Sequence, residues 1–213
     1  MSAGTERAAA TFAGEELGCI RGERVVFRDV SFAVEPGGAL ILRGPNGSGK
    51  SSLLRLACGL LKPAAGRLTW SDADVRNDAH AHRTRLNYVG HLDAVKAALT
   101  VAENVAFWAA FAGNTAGVAA ALERLDLGAL ADIPARLLSA GQRRRVNLAR
   151  LAAAPAPLWL LDEPAVSLDE ASAASLGQLM ADHRARGGII VAATHAELRL
   201  PDAAVLELTA ATP

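Results

Sequence analysis

The chain lacks an excess of either charge: Lys plus Arg and Asp plus Glu each number 22 in 213 residues. A neutral balance removes the global electrostatic case for nucleic acid or an anionic membrane surface as partner, so any anion site must be local. Cysteine is scarce too. Cys19 and Cys58 lie far apart and in no CxxC, which argues against a disulfide scaffold or a zinc site and suits a reducing cytosol. The opening "MSAGTERAAATFAGEELG" carries acidic residues where a signal peptide would carry an apolar core, and reads as a loose lead-in. The uncharged run 104–122 approaches the length of a membrane span but is interrupted by Gly113, Asn114, Thr115 and Gly117, as two helices meeting at a turn would be. Internal repeats, low-complexity linkers and long heptad arrays are missing.

What is present alternates strand and helix signals. Short β-rich segments fall near 17–20, 24–27 and 31–34, ahead of the Pro36-Gly37-Gly38 turn. An apolar strand at 39–42 then runs through a glycine-rich loop into a helix whose Leu53, Leu56, Ala57 and Leu60 share a face. The stretch 102–153 is Ala-rich and helical by pattern, and buried strands return at 158–161, 189–193 and 204–208. The expected class is α/β: one domain with a mostly parallel sheet core, a small antiparallel N-terminal β part and an inserted helical subdomain. Its core spans about 15–90 and 156–210, and the helical part about 91–155.

The loop "GPNGSGKS" matches G-x-x-x-x-G-K-[ST] at every fixed position, between a strand and a helix. Gly44, Pro45, Asn46, Gly47, Ser48 and Gly49 let backbone N–H groups face phosphate oxygens, and Lys50 reaches the β and γ phosphates. Ser51, followed by Ser52, offers a hydroxyl to Mg2+. "LWLLDEP" delivers Asp162 and Glu163 to the carboxyl edge of a buried strand, where ligands of such sheets bind. Asp162 suits Mg2+ and Glu163 suits orienting or deprotonating a water, unless the pair merely caps a helix ahead of Pro164. His195 also emerges at a strand end, placed to hydrogen-bond a γ phosphate. The guanine-reading pattern N-K-x-D is absent, which tilts the nucleotide toward ATP.

"LSAGQRRR", residues 138–145, sets three consecutive arginines at what looks like a helix start, where the macrodipole disfavours positive charge. An anion nearby is expected, or else a solvated arginine face. The order of the motifs, phosphate loop, "LSAGQ", "LLDEP", "SLD" and "TH", resembles the ATP-binding cassette (ABC) transporter ATPase subunits over nearly the whole chain. That resemblance implies ATP and Mg2+ as cofactors, and a pair of ATPase subunits, such as a homodimer. In such a pair Ser139, Gly141 and Gln142 bind the γ phosphate held by the other copy, while Asp169 lies at the seam. It also implies peripheral attachment to the cytoplasmic side of the inner membrane through separate membrane-spanning permease subunits, with no nucleic-acid partner.

Two positions depart from the family pattern. Arg21 stands where relatives place an adenine-stacking aromatic, with Phe27 as fallback although its neighbours favour a core role. His91 stands where relatives carry a glutamine that ligates Mg2+; an imidazole suits a water or a partner better than the metal. "GH", "K..LT..EN..FW" and "LSAGQRRRV" narrow the resemblance to the ATPase subunits of heme exporters in bacterial cytochrome c maturation. Heme ligands are not evident in the chain itself. An exporter of another substrate is the alternative. A soluble cassette ATPase acting on DNA or ribosomes fits less well, since the span from Lys50 to Leu138 is short and there is one cassette. Phe107, Trp108 and Phe111 at helical spacing are expected in the core, or else in a docking groove for a helix of the membrane partner.

Overall fold

A computed structural model describes residues 10–195 and 198–209. Two sheets organise the chain. β1 (Phe12–Arg21) and β2 (Arg24–Val34) form an antiparallel hairpin. β3 (Ala39–Arg43) leads into α1 (Lys50–Ala57), and β4 (Ala65–Trp70) with β5 (Ala73–Asp74) returns to the antiparallel sheet, in the order β2-β1-β4-β5. α2 (Ala79–Thr84) and β6 (Leu86–Val89) follow. Then come α3 (Val101–Phe111), α4 (Val118–Arg124) and α5 (Ala140–Ala153), which pack on one another between β6 and β7 (Leu158–Asp162). α6 (Glu170–Ala185), β8 (Ile189–Ala193) and β9 (Ala204–Glu207) complete a parallel sheet in the order β6-β7-β8-β3-β9.

Alternation along the parallel strands divides the core. Ile41, Trp159, Leu161, Ile190 and Ala192 face a cluster with α3, α5 and α6. Leu40, Leu42, Leu158, Leu160 and Val191 face the other way, onto α1 and the antiparallel sheet. A sheet buried on both faces needs apolar residues at successive positions, which is why these strands read as continuous hydrophobic runs. In the first cluster His183 stacks on Trp159, ring centroids 3.8 Å apart, and burial pushes its imidazole down to about 4. Among the described residues no helix is long and apolar enough to cross a membrane, and the 104–122 run is α3, a turn and α4.

Four local expectations are corrected. Residues 1–9 of the lead-in lie outside the described residues, but its later part is not loose: β1 begins at Phe12, which is buried and pairs with Val34 and Trp70. The segments 24–27 and 31–34 are one strand; irregular register in β1 and the left-handed Asp29 (φ 54°) disrupt the two-residue period that would have joined them. α1 ends at Ala57, with Gly59 left-handed beyond it, so Leu60 leaves the helix face and is 66 % exposed. Among the described residues β9 pairs only with β3, at the sheet edge, and Ala204, Val205 and Glu207 are exposed rather than buried.

Candidate nucleotide-binding site

The loop between β3 and α1 approaches its surroundings too closely for side chains at two glycines. A Cβ on Gly44 (φ 136°) would run into the Leu208 carbonyl, and one on Gly49 (φ 103°) would meet Phe27 and Val26 at 2.7 Å. Gly49 opens α1, so the loop ends on a helix N-terminus whose unpaired N–H groups favour an anion. Lys50 lies back across this loop and donates to the carbonyls of Gly44 (2.7 Å) and Pro45 (3.0 Å). Ser48 Oγ is buried without a partner among the described residues.

The loop forms one wall of an open cavity of about 840 Å³. Asn46, Gly47, Gly49, Lys50, Ser51 and Ser52 line it, as do Arg21 and Arg24 from the hairpin and His91 from the loop after β6. Asp162, Glu163 and His195 face them from the ends of β7 and β8. Gly44, Pro45 and Ser48 shape the loop without lining the cavity. Arg24 and Val26 have no sequence signal beyond their place in an ordinary strand; only the fold of the hairpin over the loop brings them here. Phe27 is buried in the core, as its apolar neighbours suggested.

Asp162 and Glu163 sit differently although adjacent. Asp162 ends β7, is buried, and its Oδ2 has no hydrogen-bond partner among the described residues. Glu163 leaves the strand in the left-handed region (φ 48°), its N–H donating to the Ala193 carbonyl at 2.8 Å. That backbone turn, unfavourable for a non-glycine residue, carries the carboxylate to His195. Glu163 Oε2 accepts the His195 backbone N–H at 3.3 Å, and Oε1 lies 3.8 Å from His195 Nε2.

Ser139, Gly141, Gln142 and Asp169 do not line this cavity. Ser139 caps α5: its Oγ accepts the Gln142 N–H at 3.2 Å while Gln142 Oε1 accepts the Ser139 N–H at 2.8 Å. This capping box satisfies two terminal N–H groups and fixes the helix start. A Cβ on Gly141 would approach the Ser167 carbonyl at 2.8 Å. Asp169 caps α6 by accepting the Ser172 N–H at 2.8 Å, and the hydrogen bonds of Ser172 hold its carboxyl below the ordinary value.

The three arginines are neither a solvated face nor a free anion site. Arg143 donates to the Leu138 carbonyl at 2.6 Å. Arg145 donates to the Leu125 and Asp126 carbonyls and pairs with the Asp126 carboxylate at 3.1 Å. Arg144 is 4 % exposed and pairs with Asp93 at 3.0 Å. Carbonyls and carboxylates of the same chain thus offset the dipole penalty.

The aromatic trio is also not core. Phe107 is 46 % and Phe111 82 % exposed. Phe107 and Trp108 line a second cavity, about 330 Å³, with Asp93, Val95, Lys96 and Asn104. Lys96 lies over the Phe107 ring and Arg150 over that of Trp108. Arg150 also donates to the Tyr88 carbonyl, and burial pushes its guanidinium down to about 10, with Arg144 adding repulsion.

Comparisons with known proteins identify the family and the fold. The family model described as ABC transporter matches residues 27–166. The cytochrome c biogenesis ATP-binding export protein CcmA of Rhodospirillum rubrum is 60 % identical over 208 residues, 97 % of this chain and 89 % of that protein. Its namesake in Paramagnetospirillum magneticum is 54 % identical over 203 residues, 93 % and 94 % of the two chains. Among solved structures, a bacterial Atm1-family ABC exporter with ATP bound superimposes with a TM-score of 0.83 at 23 % identity, over 94 % of this chain and 37 % of that one. An ATP-binding subunit of an ABC transporter gives 0.78, also at 23 %, over 86 % and 79 %. At that identity the structures attest the fold. The chain therefore belongs to the ABC transporter family of ATP-hydrolysing subunits, and within it to the group of the CcmA export proteins of cytochrome c biogenesis.

Proposed function

We propose that the chain powers heme export, or release of a heme-loaded chaperone, in cytochrome c maturation, as the ATPase subunit of an inner-membrane export complex. The observation that carries this reading is the identity of 60 % across nearly the full chain to a cytochrome c biogenesis export protein. It is joined by the convergence of Lys50, Ser51, Asp162, Glu163 and His195 on one cavity.

In this reading Lys50 gives up the Gly44 and Pro45 carbonyls for the β and γ phosphates of ATP, and the loop N–H groups close around them. Arg21 lies along the adenine through its guanidinium plane. The unpartnered Oδ2 of Asp162 and the Ser51 hydroxyl provide oxygen donors on the same cavity, the chemistry Mg2+ requires. Bound there, Mg2+ supplies charge neutralisation for the transferring phosphate. Glu163 accepts a proton from the attacking water, and His195, held to its carboxylate, orients both. His91, at the cavity wall, contacts a water or the partner subunit.

In this reading hydrolysis uses a second copy, which is supported by the position of Ser139, Gly141 and Gln142 outside the lining of their own chain's cavity. We assign them to the γ phosphate on that copy, with Asp169 at the seam between the two. The chain lies on the cytoplasmic face of the inner membrane, and the cavity at Phe107 and Trp108 receives a cytoplasmic helix of a permease subunit.

Replacing the wild-type protein in cells with Glu163→Gln tests the assignment. Membrane b-type cytochromes are expected to remain, covalent c-type cytochromes to disappear, and a heme-loaded maturation intermediate to accumulate. Normal c-type cytochromes with loss of some other exported compound would leave an ABC exporter of another substrate.

A further inference from the structure

Arg144 is buried in the fold between the cavity and the Trp108 groove, and every one of its donors is used. Nε donates to the Pro164 carbonyl at 3.2 Å. Nη1 donates to the Gly90 carbonyl at 3.1 Å and to Asp93 Oδ1 at 3.0 Å. Nη2 donates to the carbonyls of Asp162 at 2.9 Å and Glu163 at 2.7 Å. A guanidinium has five N–H groups in a fixed planar fork, so these five contacts saturate it.

The acceptors matter as much as their number. Three successive carbonyls, those of Asp162, Glu163 and Pro164, bracket the residue whose backbone is left-handed at φ 48°. A non-glycine residue stays in that region only where its surroundings over-determine it. Other restraints on this turn are backbone contacts: the Glu163 N–H donates to the Ala193 carbonyl at 2.8 Å, and the Glu163 carbonyl also accepts the Val166 N–H at 3.2 Å. The remaining two acceptors belong to the segment after β6, where Asp93 is also held by Asn147 Nδ2 at 3.2 Å. Asp93 lines the groove beside Lys96 and Trp108.

We propose that Arg144 is a positioning residue for hydrolysis: anchored by Asp93, its fork clamps the peptides on both sides of Glu163 and so aims that carboxylate at the cavity. Arg144 touches neither nucleotide nor water; it acts through Glu163. A lysine could keep the charge beside Asp93 but, with three donors on a single nitrogen, could not reproduce the five contacts of the planar fork. Because Arg144 projects from the helix that Ser139 opens, the clamp also ties the α5 start, assigned to the other copy's site, to Glu163 of its own chain.

This inference rests on Glu163 being the base. The test uses the complex copurified from membranes with its partner polypeptides, with ATP turnover, KM, nucleotide affinity and thermal melting measured for Arg144→Lys and Arg144→Gln. Each substitution is then repeated in the Glu163→Gln background. Expected is a fall in kcat of about tenfold or more with KM and affinity changed less than about twofold, and no further fall once Glu163 is Gln, since no base is left to aim. Wild-type kcat in Arg144→Lys overturns the proposal, as does an equal fractional loss in both backgrounds or a failure of both variants to fold, each of which marks a merely structural role. Wild-type turnover in Glu163→Gln alone overturns instead the assignment of the base.

Discussion

The carboxylate of Glu163 lies against His195: Oε2 accepts the His195 backbone N–H at 3.3 Å, and Oε1 lies 3.8 Å from Nε2 of the same residue. Both residues line the same cavity, although 31 residues lie between them in the chain.

Glu163→Gln retains the shape and hydrogen-bonding reach of the side chain but removes its basicity. ATP affinity is expected to stay within about twofold of wild type while turnover falls by about 10² to 10⁴, leaving an ATP-bound dimer visible by size-exclusion chromatography. His195→Ala is expected to slow turnover less, by about tenfold to a hundredfold, because the base survives without its orienting partner. Equal turnover in wild type and Glu163→Gln would remove the carboxylate from the reaction.

The separation of Ser139 from the chain's own cavity gives a complementation experiment. Lys50→Ala removes the phosphate-loop cation, and Ser139→Arg blocks the α5 N-terminus; each variant alone is expected to be inactive. A verified mixed dimer keeps one composite site with both elements intact, so mixing should restore measurable ATP hydrolysis. No recovery would count against a site shared between copies.

Phe107 is half-exposed on the groove and Phe111 almost fully exposed, so replacing them should cost little stability, within about 0.5 kcal/mol for surface changes. Phe107→Glu is expected to leave ATP binding unchanged while membrane partners no longer copurify. Undiminished copurification would place the permease contact elsewhere.

Burial against Trp159 lowers the folded-state pKa of His183 to about 4, while the unfolded chain should titrate near the ordinary value of about 6.5. The unfolded state therefore binds more protons between these values. The stabilising contribution of His183 is complete above about pH 6.5 and is lost as pH falls toward 4, by up to about 3 kcal/mol. His82, also lowered by burial, adds in the same direction. Urea midpoints measured across that range should decline in wild type and decline less in His183→Phe; parallel declines would assign the acid sensitivity to other groups.

Much of this molecule follows from local order in the chain. The parallel strands could be read because burial on both faces demands unbroken apolar runs, and the phosphate loop because glycines between a strand and a helix leave few other backbone paths. The placing of Asp162 and Glu163 at a strand end follows from the four apolar residues before them. Register and exposure do not follow in this way. Bulges hid the continuity of β2 from 24 to 34, and the left-handed turn at Gly59 put Leu60 outside, since both depend on distant partners or on one backbone angle. Arg143, Arg144 and Arg145 make the point most directly. They are chemically identical and adjacent, but successive helix residues point about 100° apart, so one turns back to the α5 start, one enters the core behind Glu163, and one reaches Asp126. The sequence determined that three cations stand at that helix; only the packing of β6, β7 and α5 around the middle one decided that it would hold Glu163.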